Sequence, residues 1–124
     1  MEIIFVIGRL LFAALFLMSA MGHLTKTKQM GAYAKSMGVP AAEFMTFFTG
    51  LMLLLGGLSV LFNFDLFYGS ILLVLFLIPT AFMMHAFWKV SDATMKQVQQ
   101  AMFMKNISLA GATLMIMYYS YGLH

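Results

Sequence analysis

Four stretches of this chain, residues 3–22, 43–62, 66–88 and 103–123, are nearly unbroken runs of apolar side chains. Each is long enough to cross a bilayer core about 30 Å thick, which takes about 20 helical residues. A chain of 124 residues with four such runs has little left for any other architecture. Composition agrees: 63% of residues are hydrophobic and 9% charged, with a mean hydropathy of +0.95, whereas a soluble domain carries roughly a quarter charged residues. The expected fold is all-α, an integral membrane four-helix antiparallel transmembrane bundle forming one domain over residues 1–124. The first run resembles a signal peptide in length. Glu2 stands where such a peptide carries a base, Arg9 interrupts the run and no small-x-small cleavage site follows, so it is read as a retained helix.

Seven Lys and Arg against four Asp and Glu give a net charge of +3. The bases stand singly in the connections and do not line an aromatic groove, so no nucleic-acid partner is expected. Lys26, Lys28 and Lys35 lie between the first and second runs; Lys89, Lys96 and Lys105 lie in or beside the connection between the third and fourth. The opposite end offers Glu2, Asp65 and His124. By the positive-inside rule both lysine-bearing connections face the cytoplasm and both termini face out. The short turn Asn63-Phe64-Asp65 makes the second and third runs an antiparallel hairpin. The connection 25–42 ends in Gly38-Val39-Pro40 and is expected to hold a short interfacial helix closed near Gly38. The connection before residue 103 reads as a short polar loop. With no cysteine the chain can form no disulfide, thiolate metal site or Cys-x-x-Cys pair, so any electron transfer needs a bound cofactor or a partner.

At 100° per residue, Phe5, Arg9, Phe12, Phe16, Ser19 and His23 fall within about 80° on the first helix. Arg9 must then reach the outer interface or pair inside the bundle, and Asp65 is the nearby acid at its level. On the second helix Glu43, Thr46, Gly50 and Gly57 share a face; the glycines, with Gly56, suit close helix packing, and Glu43 also suits the dipole at a helix start. The third helix aligns Ser70, Leu77, Ala81, His85 and Trp88 and carries Pro79, a kink site. Trp88 fits an aromatic belt as well as a pocket wall. The fourth aligns Asn106, Thr113, Met117 and Ser120 in a polar seam.

The topology gathers His23, Glu43, His85, Lys105 and Asn106 at the cytoplasmic ends of the four helices. Ionisable groups in a membrane are a functional-site signal, although helix ends collect polar residues in any protein. With Trp88 as a wall, these six residues form the expected ligand-binding set; no metal ligands are assigned.

Arg9, Phe16, Ser19, Gly22-His23-Leu24, Gly50, Gly56-Gly57, His85-Ala86-Phe87-Trp88, Phe103-Met104-Lys105-Asn106 and Ala110-Gly111 together resemble the DoxX family of small four-helix bacterial membrane proteins, related to the DoxD subunit of an archaeal thiosulfate:quinone oxidoreductase. The sequence departs from the pattern at His23, where many relatives carry lysine, and at Leu53, where many carry an acid. The resemblance implies a component of the bacterial cytoplasmic membrane linked to quinone or sulfur redox chemistry, with redox partner subunits or a homo-oligomer around it. A quinone needs donors for its carbonyls and an apolar aromatic slot for its ring. His23, His85, Lys105 and Asn106 are candidate donors and Phe16, Phe87 and Trp88 candidate walls, and a histidine can exchange the accompanying proton. Without a nucleotide loop or flavin motif the chain reads as part of an oxidoreductase and not a complete enzyme.

Two other classes stay open. Met18 and Met21 lie near His23, and Met83 and Met84 beside His85; thioether with imidazole suits Cu(I), while methionine also fills apolar gaps. Two imidazoles can hold a haem, here without a Cys-x-x-Cys-His attachment sequence. The small loops equally suit a non-catalytic scaffold or accessory subunit in contact with membrane lipid.

Overall fold

The structure, a computed structural model, describes residues 2–121. Among them the chain forms α1 (Glu2–Thr25), α2 (Thr27–Ser36), α3 (Ala42–Phe62), α4 (Leu66–Met84), a short 3-10 turn (Phe87–Lys89) and α5 (Ala93–Tyr121). Gly122 and Leu123 of the fourth expected span, together with His124, lie outside the described residues. Four helical segments are long and apolar enough to cross a membrane: α1, α3, α4 with its following turn, and α5. They run up and down as an antiparallel bundle, because only a helix satisfies its own backbone in hydrocarbon.

α1 packs on α3, α3 on α4 and α4 on α5, while α2 lies against α3. The core is small: Ala13, Phe16, Ala20, Leu53, Val60, Leu73, Leu77 and Ala110. Large apolar side chains such as Ile3, Leu11, Met18 and Tyr118 face outward, where lipid replaces water. Apolar side chains gain little by turning inward from lipid, so the helices associate through close backbone approach. A Cβ added at Gly50 would stand 2.8 Å from the Cβ of His23, and one at Gly56 would stand 2.6 Å from Leu73 Cδ2. Gly69 leaves room for Ser59, whose hydroxyl donates to the Phe64 carbonyl at 2.6 Å and lies 3.1 Å from that of Asp65, tying the hairpin.

The helix ends follow local chemistry. α2 closes in a Schellman motif, with Gly38 at φ +89° and amide bonds from Val39 to Ala34 (3.1 Å) and from Gly38 to Lys35 (3.0 Å). α3 closes the same way on Asn63, with Phe64 N–H donating to Ser59 at 2.9 Å.

Two boundaries differ from the sequence-based expectation. α4 stops at Met84 and not near Trp88: His85 leaves the helix at φ −124°, and the chain folds back so that the Phe87 and Trp88 rings meet Phe103 at 5.5 and 5.6 Å. α5 begins at Ala93, ten residues before 103. Residues 93–102 are polar but good helix formers, and the Asp92 carboxylate caps them by accepting from Met95 N–H at 2.9 Å. At 1.5 Å per residue the 29 residues of α5 reach about 44 Å, well beyond a hydrocarbon core of about 30 Å.

Candidate functional site

A cavity of about 1050 Å³ lies among all four spanning segments and under α2. Its inner end is apolar, at Leu15, Leu75 and Leu109; its mouth is polar, at Lys26, His85 and Lys105. Along α1 the lining climbs from Leu15 to Lys26, about 16 Å at the helical rise. Pro79 lies in the α4 wall; having no N–H, it cannot serve the Leu75 carbonyl one turn earlier, so the backbone is loosened along the cavity.

His23 enters this space from the last turn of α1, beside the glycine of α3 that makes room for it. Its Nδ1 lies 3.1 Å from the Thr46 carbonyl and 3.0 Å from Thr49 Oγ1. A carbonyl can only accept, so Nδ1 carries the proton. The Thr49 hydroxyl donates to the Met45 carbonyl at 2.7 Å and is free to accept from the ring. Nε2 then holds a lone pair in the neutral imidazole and has no partner among the described residues. The Phe76 ring meets the imidazole edge-on at 5.7 Å.

His85 repeats the arrangement from the other side. Leaving α4 at its C-terminus, it places Nδ1 2.8 Å from Gln99 Oε1 on α5, so Nδ1 donates and Nε2 is left without a partner among the described residues. Gln99 was hidden from sequence reasoning because it sits in what reads as a loop; its only signal is that residues 93–102 hold no helix breaker.

Asn106 is 5% exposed and lines the cavity, and among the described residues its amide makes no hydrogen bond. Buried amides are normally satisfied. Lys105 reaches the same cavity from an exposed position on α5. Lys26, Thr80, Ser19 and the α2 residues Gln29 and Tyr33 also line it, and none was singled out from the sequence as a ligand contact.

Two expected members stand elsewhere. Glu43 is exposed in the first turn of α3; α2 crosses so closely that a Cβ on Gly31 would come within 2.9 Å of Glu43 Cα, and the carboxylate is turned away from the cavity lining, where it favours the helix dipole. Trp88 is half exposed and packs with Phe82, Phe87 and Phe103 at 5.2–6.1 Å, outside the cavity. Of the three expected aromatic walls Phe16 lines the cavity and Phe87 and Trp88 do not; Phe76, which was not expected, lines it as well.

Arg9 also departs from expectation. Its Nη2 donates to the Leu61 carbonyl at 3.0 Å and its guanidinium lies 5.1 Å from the Phe5 ring centroid. No ion pair with Asp65 occurs among the described residues. Leu61 is in the last turn of α3, where carbonyls lack helical donors and the dipole favours a cation, so the helix end replaces the acid as partner. Among the described residues no group of three or more His, Asp or Glu could hold a metal, and Met18 and Met21 face outward, away from His23.

Comparison with known proteins gives three findings. The family model for DoxX matches residues 4–86. The inner membrane protein YqjF of Escherichia coli (strain K12) is 30% identical over 113 residues, 89% of this chain and 78% of that protein. No solved structure matches the chain. The family model ends before α5, whereas the likeness to the Escherichia coli protein spans 89% of the chain.

Proposed function

The chain belongs to the DoxX family, and from that premise we propose that it holds the headgroup of a lipid-soluble quinone-type molecule at the lysine-bearing end of its bundle, as a component of a membrane redox system. The observation that carries this reading is the Asn106 amide, 5% exposed, unpartnered and lining the cavity. An amide covered by a ligand without a partner would cost about 1–3 kcal/mol, a cost that a ligand carbonyl facing it avoids.

The remaining lining complements both forms of such a ring. Quinone carbonyls accept, and the Asn106 NH2 with the Ser19 and Thr80 hydroxyls can donate. The hydroxyls of the reduced ring donate, and Nε2 of His23 and of His85 can accept. Each imidazole is held by its other nitrogen, which fixes the ring while leaving Nε2 to hold or release a proton. Phe16 and Phe76 supply apolar walls. Electrons would pass to or from a bound cofactor or a separate subunit, since the chain has no cysteine. Its relative is named an inner membrane protein; we place this chain in the bacterial inner membrane too, with the lysine-bearing end in the cytoplasm.

The test is quinone analysis of the purified protein, followed by titration of nanodisc-embedded protein with a neutral short-chain alkyl quinone. Binding above that of empty nanodiscs is expected. Asn106→Leu should weaken it about tenfold, the worth of one or two hydrogen bonds, while leaving unfolding stability in detergent unchanged or raised. Absence of binding would leave a non-catalytic scaffold as the better account; loss of stability with unchanged binding would make Asn106 a structural residue.

A further inference from the structure

The cavity is asymmetric in charge. Lys26, Lys105, His23 and His85 line it, and no Asp or Glu does. The whereabouts of the four acids make this a property of the fold. Glu2 and Asp65 lie at the other end of the bundle. Glu43 is exposed outside the lining, and Asp92 is engaged in capping α5. Neither lysine's ammonium group donates a hydrogen bond to protein among the described residues. The mouth therefore presents two uncompensated ammonium groups above the Asn106 amide, which makes no hydrogen bond among the described residues. Below them the lining becomes apolar toward Leu15, Leu75 and Leu109, between α1, which packs on α2 and α3, and α5, which packs on α4 and the 3-10 turn. These two helices share no extensive interface, so an alkyl chain can pass between them into lipid.

We propose that the natural ligand is an acidic ring amphiphile. Its ring carries an ionised group, a carboxylate or an enolate, at the mouth lined by Lys26 and Lys105, a ring oxygen meets Asn106, and its tail descends between α1 and α5. This holds only if the cavity takes a ring headgroup as proposed above. A neutral ring offers the lysines at most a carbonyl to hydrogen-bond; an anion there meets two cations and no repelling carboxylate.

A matched pair of probes separates the two ideas. One is an alkyl hydroxynaphthoquinone, an enolate at neutral pH; the other is its methyl ether, of nearly the same shape and uncharged. Both are titrated against the full chain in zwitterionic phosphatidylcholine nanodiscs, with empty nanodiscs subtracted. The enolate should bind about tenfold more tightly, the joint effect of two exposed, screened charge contacts, and the advantage should shrink as salt rises. In Lys26→Gln/Lys105→Gln the advantage should vanish while the ether still binds above empty nanodiscs, which also shows that the variant is folded. Equal affinity for the two probes in the unmodified protein would overturn the acidic ligand and leave the headgroup site standing. A preference that survives the double substitution would overturn the lysine mouth. If neither probe binds, both proposals fall.

Discussion

At the scale of single residues, several polar groups in this bundle find backbone that the packing brings near them, although Arg9 Nε and Ser70 Oγ are buried without a partner among the described residues. Arg9 is the clearest case. The sequence places it at the level of Asp65, but its Nη2 finds the Leu61 carbonyl at 3.0 Å, a group that the end of α3 leaves without a helical donor. A hydrogen bond from a charged donor is worth about 1.5–3 kcal/mol net, with part of that returned when the charge is removed from the membrane. Arg9→Met should destabilise the protein by about 1–2 kcal/mol, whereas Asp65→Asn should stay within about 0.5 kcal/mol, the usual range for a surface change. In a double-mutant cycle by equilibrium unfolding the two should be additive to within about 0.5 kcal/mol. A coupling energy above 1 kcal/mol would restore the ion pair. The helical period put Arg9 on one face with Phe5 and Phe16 and left open whether it reaches the outer interface or pairs inside; it carried no information on which acceptor would lie opposite.

At the scale of elements, the α1–α3 contact positions the cavity, because it brings His23 against Thr46 and Thr49. Gly50 makes that approach possible: an added methyl would meet His23 Cβ at 2.8 Å and Leu24 Cδ2 at 3.0 Å. Gly50→Ala should therefore push α1 from α3, cost about 1–3 kcal/mol as overpacking and weaken headgroup binding through the displaced imidazole. Gly111, with nothing within 4 Å of an added Cβ, is the control. Gly111→Ala should be neutral or stabilise by up to about 1 kcal/mol from helix propensity alone. Equal effects of the two substitutions in a detergent unfolding assay would show that Gly50 is not a packing site. The small-residue stripe was legible in the sequence because a spacing of seven keeps Gly50 and Gly57 on one face. The starts and ends of helices were less so. A polar segment reads as loop, but Asp92 and the helix-forming residues after it extend α5, which is how Gln99 comes to hold His85.

At the scale of the whole molecule, five of the seven bases, Lys26, Lys28, Lys35, Lys89 and Lys96, lie in or beside the connections at one end of the bundle, while Lys105 lies further along α5. If charge sets orientation, that end is cytoplasmic. Lacking cysteine, the chain allows clean single-cysteine variants: Lys28→Cys and Lys96→Cys should react with an impermeant maleimide only after the membrane is opened, and Phe64→Cys should react in intact spheroplasts. The reverse pattern would invert the topology while leaving the bundle unchanged.

The sequence by itself determined the four spans, their alternating direction, the turn at Asn63 and the faces that carry small or polar groups. These follow from local demands: helix length against bilayer thickness, backbone hydrogen bonds closed within each helix, and a side-chain direction fixed by the helical period. It also placed His23, His85, Lys105 and Asn106 at one end of the bundle. Only the tertiary structure decided that these four share a cavity with Lys26 while Glu43 and Trp88 stand outside it, that Gln99 and Thr46 orient the imidazoles, and that Arg9 caps α3. Those outcomes depend on how closely two helices approach and where a helix unwinds, and both are set by contacts between residues far apart in the chain, such as Gly50 with His23 and Trp88 with Phe103.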